Sequence, residues 1–230
     1  MNVTIIEHTP NPEQTVALAA RLCYSPISID DLREKLESTD IEQFLDKIMS
    51  LGHHSVLEHA SFTFGIEGIS RVTTHQLVRH RIASFSQQSQ RYVSHKEHFT
   101  SIMPNSIAMD PDAREIFAFM SETVHKAYAQ LVELGIPAED ARYILPNATE
   151  TKIIMTMNAR ELRHFFALRC CQRAQWEIRE MSVEMLRQVK KIAPVIFRDA
   201  GPGCASGPCP EGVFCCGQTA EVREFFKKLD

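Results

Sequence analysis

The sequence predicts an α+β fold in which long helices pack on a mixed sheet. Short segments with alternating apolar residues, such as residues 2–8 and 60–69, have the period of a β-strand. Longer segments with apolar residues every three or four positions, such as residues 110–135, have the period of a helix. Because the two kinds of segment do not alternate regularly, a parallel βαβ arrangement is not predicted.

The first half of the chain predicts two strands and two helices. Residues 2–8 predict the first strand, and residues 11–23 predict a helix with Asn11 and Pro12 as N-cap and first-turn pair. Residues 40–52 predict an amphipathic helix that Gly52 ends. In the second strand, one face is expected to lie on the core, and it carries Phe62, Phe64 and Ile66. The segment 71–78 is interpreted as a short helix or strand.

The second half of the chain contains the clearest helical pattern. Residues 110–135 predict a long helix with one apolar stripe, made of Ile116, Met120, Val124, Ala127 and Leu131. A short strand is predicted at residues 150–158, followed by helices at 159–169 and 174–192. No repeat and no boundary precedes about residue 198. We therefore expect one domain over residues 1–198 and a cysteine-rich tail over residues 199–230.

Composition excludes several classes of protein. The chain has 230 residues, 44% of them hydrophobic and 23% charged, which is typical of a soluble globular protein. The start lacks the pattern of a signal peptide, and no apolar run approaches the ~20 residues that span a bilayer. The net charge of -4 disfavours general nucleic-acid binding. We therefore expect a cytoplasmic enzyme or binding protein without a membrane or nucleic-acid partner.

The seven cysteines fall into two groups. Three lie in apolar, helix-like contexts and are expected to be small buried hydrophobes: Cys23, Cys170 and Cys171. The tail has the spacing C-x4-C-x5-C-C, formed by Cys204, Cys209, Cys215 and Cys216. This spacing differs from paired C-x-x-C motifs, so no metal is predicted, although metal binding and pairing both stay open. The odd total disfavours a disulfide framework.

A basic stretch is the first candidate site. Residues 68–96 contain five Lys and Arg and no Asp or Glu. Arginine matches the paired oxygens of phosphates and carboxylates, and serine hydroxyls can complete such a cradle. The simpler alternative is a solvated basic face. Apolar residues such as Val78, Ile82 and Phe85 interleave with the charges, so part of the stretch must be buried. Buried arginines need anionic partners, either distant carboxylates or a bound anion, and we favour the ligand.

Two further clusters carry polar groups. His54 and Glu58 lie one helical turn apart, but they do not form H-E-x-x-H, and we favour structural hydrogen bonding over a metal. Asn158, Arg160 and His164 can line one edge of a helix near its start, where anions are favoured. The simpler interpretation of the asparagine is an N-cap. Arg163 is interpreted as a solvated partner of a nearby Glu.

The segment RHRIASFSQQS, residues 79–89, followed by QRY, resembles the signature of the flavin-dependent thymidylate synthases. Further segments resemble the family in its order: GHHSVLEHASFTF, ARYILP, NARELRHFFALR and AQWEIR. The resemblance covers about residues 1–195 and implies the thymidylate synthase-complementing protein fold. It implies an enzyme that methylates dUMP to dTMP, with methylenetetrahydrofolate as one-carbon donor and FAD carrying hydride from NADPH. It also implies a homotetramer whose active sites lie between subunits.

The resemblance also implies roles for individual residues. FAD would be held by Ser55, Arg79, His80, Arg81, Gln87, Asn158, Arg160 and His164. The nucleotide dUMP would be bound by Gln76, Arg79, Gln87, Ser89, Gln90, Arg91, Arg142 and Arg169. His53 would lie near the folate. Arg169 is the expected catalytic group, since a guanidinium can stabilise negative charge that develops on the uracil edge. Ser89 is expected to bind dUMP rather than act as a nucleophile, because no His-Asp pair is placed to deprotonate it.

Two alternatives to this function stay open. The basic stretch could belong to a non-catalytic nucleotide- or RNA-binding module, although the net charge disfavours that interpretation. The protein could also be a flavin reductase without methyl transfer. The sequence leaves open the order of hydride and methylene transfer and the choice between NADPH and NADH.

Overall fold

A computed structural model of the protein describes residues 1–96 and 99–229. It confirms the α+β class, with helices and a four-stranded sheet of strand order β1-β2-β4-β3. The strands are β1 (Asn2–His8), β2 (Ser61–Ser70), β3 (Ala83–Gln87) and β4 (Glu150–Asn158). The predicted strands at residues 2–8, 60–69 and 150–158 correspond to β1, β2 and β4.

The helices confirm the long periodic patterns and add shorter elements. They are α1 (Pro12–Leu22), α2 (Ile29–Glu37), α3 (Ile41–Ser50), α4 (Arg71–Leu77), α5 (Asn105–Ala108), α6 (Pro111–Glu133), α7 (Ala138–Ala141), α8 (Ala159–Arg169), α9 (Trp176–Ile192) and α10 (Thr219–Lys227). Short 3₁₀ turns occupy His54–His59, Arg142–Ile144, Gly203–Ala205 and Gly212–Phe214. The segment that we interpreted as helix or strand is the helix α4.

Side-chain caps explain where several helices begin. The side chains of Ser28, Asp40, Ser70 and Asp110 each accept a hydrogen bond from the backbone N–H three residues later. Asn11 and Pro12 take the predicted N-cap and first-turn positions of α1, but the Asn11 side chain makes no cap hydrogen bond, and its backbone is left-handed, with φ 46°. Asparagine tolerates this region better than most residues, so the turn before Pro12 needs no glycine.

The described residues form two compact units. The first comprises residues 1–2, 66–79 and 85–154, and the second comprises residues 3–65, 80–84 and 155–230. In the second unit, Phe62 packs edge-on against Phe197 with ring centroids 5.5 Å apart, and Phe166 meets the same ring at 6.0 Å. Side chains from β2 and α8 therefore share one aromatic core.

Strand β1 lies at one edge of the sheet, and a glutamine of α9 occupies its backbone groups. Gln188 Oε1 accepts from the Ile5 N–H at 3.1 Å, and Gln188 Nε2 donates to the Val3 carbonyl at 2.7 Å. A side-chain amide here satisfies one donor and one acceptor of an edge strand.

Helix α6 belongs to the first unit and buries only Tyr128 fully. The predicted apolar stripe is present in the helix, yet Ile116 is 66% exposed and Met120 is 51% exposed, with Phe119 beside them at 65%. Within this chain, much of the apolar surface of α6 faces away from the core.

The tail packs in the second unit. Val222 and Phe226 of α10 are buried, and Lys190 of α9 donates to the carbonyls of Phe226 and Leu229 at 3.2 and 3.3 Å. The expected domain boundary near residue 198 stays a prediction. In the described residues, no helix is both long enough and apolar enough to cross a membrane.

Candidate functional site

A buried histidine is the centre of a side-chain network in the second unit. His80 has 4% of its side chain exposed. Its Nδ1 lies 3.1 Å from Glu161 Oε1, and its Nε2 lies 3.0 Å from Arg169 Nε. The arginine Nε–H can only donate and an ionised carboxylate can only accept. His80 therefore carries its proton on Nδ1 and accepts from Arg169 at Nε2.

Burial sets the charge of this network. Burial lowers the pKa of His80; the hydrogen bond to Glu161 opposes the shift, and the positive charge of Arg169 adds to it. His164, whose ring lies 6.0 Å from that of His80, lowers the pKa further. Burial also lowers the pKa of the half-buried Arg169. The imidazole is therefore neutral at neutral pH and serves as an acceptor for a charged guanidinium.

The start of α8 contains three of the predicted flavin contacts. Asn158 Oδ1 accepts from the Glu161 N–H at 2.9 Å, which confirms the N-cap interpretation. Arg160 is exposed and forms an ion pair with Glu58, with Nη1 and Oε1 2.5 Å apart. His164 is exposed on the same helix. The Glu58 carboxylate thus makes the kind of structural hydrogen bond that the sequence analysis favoured for this cluster.

Two cations lie close together in the first unit. Arg71 Nη2 donates to the Gln88 carbonyl at 2.9 Å, and its Nε is buried without a hydrogen-bond partner among the described residues. Burial lowers the pKa of Arg71, and the positive charge of Arg142 lowers it further. A buried donor with no acceptor beside a second cation fits an anionic ligand, because such a ligand would supply both the acceptor and the counter-charge.

Arg91 has its counter-charge within the chain. Its Nε lies 2.5 Å from Glu139 Oε2, and both side chains are about half exposed. The basic stretch is therefore balanced in part by a carboxylate from a distant segment, as one of the two sequence-based alternatives required. The phosphate-binding role of Arg91 stays a prediction.

The other side chains of the predicted dUMP set have local partners. Gln87 Nε2 donates to Thr74 Oγ1 at 3.0 Å and to Thr151 Oγ1 at 3.3 Å. Ser89 Oγ accepts from the N–H groups of Arg91 and Tyr92 at 3.1 and 3.4 Å, so the hydroxyl stabilises a turn. Gln76 and Gln90 are half-buried. The dUMP-binding roles of Gln76, Gln87, Ser89 and Gln90 stay predictions.

The remaining predicted residues are exposed: His53, Ser55, Arg79 and Arg81. His53 is hydrogen-bonded through Nδ1 to the Tyr24 hydroxyl at 2.6 Å, and the two rings stack with centroids 5.6 Å apart. An exposed aromatic ring that stacks on a neighbouring ring can also stack on a planar ligand. The folate-proximal role of His53 stays a prediction.

The two units divide the predicted residues. The second unit carries His53, Ser55, His80, Arg81, Asn158, Arg160, His164 and Arg169. The first unit carries Gln76, Arg79, Gln87, Ser89, Gln90, Arg91 and Arg142. Most predicted flavin contacts thus lie in the second unit and most predicted dUMP contacts in the first.

The cysteines are free thiols in the described chain. Cys170 is buried as expected, and burial raises its pKa, whereas the expectation for Cys23 is wrong, because its side chain is exposed at the end of α1. In the tail, the Gly217 N–H donates to Cys215 Sγ at 3.4 Å, and this hydrogen bond, followed by the effect of the Cys209 thiol, lowers the pKa of Cys215. Among residues 1–96 and 99–229, no group of three or more His, Cys, Asp or Glu is arranged to hold a metal ion.

The donor chemistry of the second unit fits a flavin dinucleotide. Arg81 has an exposed guanidinium, which matches diphosphate oxygens in pairs, and Arg160 is exposed too, with its Nη1 paired to Glu58. Arg160 also stands in the first turn of α8, where the helix dipole favours negative charge. The residues present therefore offer the cationic donors that an FAD diphosphate needs.

Sequence reasoning missed two residues of these clusters. Glu161 was not identified as a candidate, because acidic residues are common in the first turn of a helix. Its spacing to Phe165 and Arg169, at i+4 and i+8, was the signal that could have found it. Arg71 was counted only as part of the basic stretch, and nothing in the sequence indicates that its Nε is buried.

Together, the fold and these clusters define an α+β protein with cationic side chains suited to anionic ligands. The profile of the family described as "Thymidylate synthase complementing protein" matches residues 4–195. The chain belongs to this family.

Relatives named "Flavin-dependent thymidylate synthase" match nearly the whole chain. The relative from Geobacter sulfurreducens is 63% identical over 230 residues, which is 100% of this chain and 99% of that protein. The relative from Clostridium tetani is 49% identical and covers 98% of this chain and 97% of its own length. The relative from Pyrococcus furiosus is 47% identical, with 92% and 90% covered. The first two matches extend through the cysteine-rich tail.

Proposed function

We propose that the protein is a flavin-dependent thymidylate synthase, an enzyme that reductively methylates dUMP to dTMP. In this proposal methylenetetrahydrofolate donates the one-carbon unit and NADPH is the reductant. Arg169 supports the proposal most directly: its guanidinium is half-buried at the end of α8, with Nε bonded to His80. Negative charge on a uracil edge is what a charged, oriented donor of this kind stabilises.

The C5 atom of uracil is a weak nucleophile, so the enzyme must increase its electron density. A cysteine thiolate could do this by adding to the ring, and Cys170 directly follows Arg169. Its thiol is buried, and burial raises its pKa, so the thiolate is disfavoured at neutral pH. Stabilising the charge that develops on the uracil edge is a second route, and Arg169 serves it.

The substrate phosphate is assigned to the first unit. Arg71 and Arg142 place two cations together there, and the buried Arg71 Nε needs an acceptor. A phosphate supplies several acceptor oxygens and a counter-charge. The same substrate would also receive hydrogen bonds from the side chains of Gln76, Ser89 and Gln90.

FAD is assigned mainly to exposed donors of the second unit. Arg81, Arg160 and His164 would hold it, with Ser55 and Asn158 as neutral polar neighbours. When bound, the flavin supplies the hydride-transfer chemistry that links the reductant to the product. The protein contributes binding, orientation and charge. Because the His80 imidazole is already bonded through both ring nitrogens, the flavin contact assigned to this residue would use its backbone.

The proposed assembly is a homotetramer in the cytoplasm. Helix α6 supports it, because Ile116, Phe119 and Met120 form an exposed apolar surface of the kind that marks subunit interfaces. Residues 1–198 would form the catalytic domain, and residues 199–230 a tail packed against it.

The test is formation of dTMP by the purified protein. The protein is supplied with FAD, NADPH, methylenetetrahydrofolate and dUMP, and dTMP is measured by chromatography and mass spectrometry. Protein that binds FAD and forms dTMP supports the proposal. Oxidation of NADPH without dTMP would identify a flavin reductase instead, and protein that takes up no FAD would overturn both assignments.

A further inference from the structure

One face of α8 holds the imidazole of His80 from three sides. Glu161 contacts its Nδ1, the ring of Phe165 meets it edge-on with centroids 4.9 Å apart, and Arg169 contacts its Nε2. These three residues are spaced four apart, which places them along one stripe of the helix. The imidazole therefore bridges two successive turns of α8.

We propose that Glu161 and His80 are positioning residues that fix the plane of the Arg169 guanidinium. This inference rests on the proposed function, in which Arg169 is the catalytic group. Neither Glu161 nor the His80 ring is placed against the substrate, and both act through Arg169.

The chemistry of the chain allows only one arrangement of protons. Glu161 is 9% exposed on its side chain and accepts from Nδ1–H, so the tautomer with a free lone pair on Nε2 is selected. That lone pair accepts from Arg169 Nε–H. Since Nε lies in the plane of the guanidinium, the bond restrains rotation of the whole group. An arginine without this restraint would sample several rotamers and lose the orientation that charge stabilisation requires.

Removal of Glu161 should therefore act like a partial loss of Arg169. We expect Glu161→Ala to lower kcat for dTMP formation by about 10- to 100-fold. FAD affinity and the flavin absorbance spectrum should change little, because Glu161 is buried beneath the helix surface. Glu161→Gln keeps an oxygen that accepts from Nδ1–H and should recover kcat to within about fivefold of wild type.

A double-mutant cycle separates positioning from general stability. In an Arg169→Ala background, Glu161→Ala should cost no further activity, because its target is gone. Asp199→Ala is the matched control: Asp199 binds Arg163 of the same helix, with contacts of 2.7 and 3.0 Å, and this change should lower stability without lowering kcat. An equal loss from Glu161→Ala in both backgrounds would overturn the proposal, as would a failure of glutamine to restore activity.

A second measurement keeps the test independent of turnover. In protein labelled with ¹⁵N-histidine, nuclear magnetic resonance should report the Nδ1–H tautomer for His80 in the wild type and its loss in Glu161→Ala. The same tautomer in both proteins would refute the positioning role of Glu161. Wild-type protein that shows this tautomer but forms no dTMP would overturn the proposed function alone.

Discussion

Replacing Arg169 tests the assignment of the catalytic group. Arg169→Ala removes a half-buried guanidinium whose Nε is bonded to His80. Loss of one preorganised donor to a developing negative charge typically costs about 3 kcal/mol, which corresponds to roughly 100-fold in kcat. We therefore expect a loss of about 100- to 1,000-fold in dTMP formation with saturating dUMP.

Arg169→Lys sharpens the prediction because it keeps the charge. Lysine has no in-plane Nε–H with which to contact His80, so its ammonium cannot be oriented by the imidazole. We expect the lysine variant to recover less than about a tenth of wild-type kcat. Arg173→Ala is the control, since Arg173 is exposed and donates instead to the Phe214 carbonyl at 2.8 Å.

The assay measures dTMP from a fixed amount of FAD-loaded protein, with the flavin content of each variant checked by absorbance. Wild-type kcat in Arg169→Ala would refute the catalytic role. A tenfold rise in the KM for dUMP with unchanged kcat would also refute it, because it would assign the residue to uniform binding.

Four further predictions follow from particular contacts. Arg71→Gln should raise the KM for dUMP by about tenfold or more, with kcat little changed, and an unchanged KM would contradict the assignment of the phosphate to this arginine. The pKa of His80 is lowered in the folded state, so the unfolded chain binds its proton more tightly, and thermal stability should decline as pH falls below about 6.5. A His80→Phe variant should lack that part of the decline in melting curves. Cys215 should react with iodoacetamide faster than Cys170 in timed labelling with mass spectrometry, because hydrogen bonds lower the pKa of the first thiol and burial raises that of the second. Gln188→Leu should reduce the free energy of unfolding in urea by about 1–3 kcal/mol, since two backbone groups of β1 lose their partners.

Periodicity predicted the fold well where an element is long and has one apolar face. The strand that contains Phe62 and Phe64 buries both side chains completely, as alternation indicates. Helix α2 was not predicted, although Ser28 caps it, because its apolar residues are few. Helix α10 was not predicted, because the interpretation of the tail relied on its cysteines. Strand β3 was read as part of a binding motif, and short strands depend on their neighbours more than on their own sequence.

The candidate site could be predicted as a set of residue types but not as a network. The sequence indicates that an arginine-rich stretch needs anionic partners. It does not indicate that Glu139 reaches Arg91, because the two lie on segments far apart in the chain. It also does not reveal that both ring nitrogens of His80 are hydrogen-bonded, one to Glu161 and the other to Arg169, because long-range pairing depends on how the backbone folds.

The exposed apolar face of α6 links the proposed assembly to protein concentration. Subunits that bury Ile116 and Met120 against one another gain free energy only while they are associated. Dilution would then remove both the contacts and the shared sites, and the melting temperature would rise with the amount of protein in the sample. For such a chain, the abundance of the protein in the cell is itself a determinant of how much of it is folded and active.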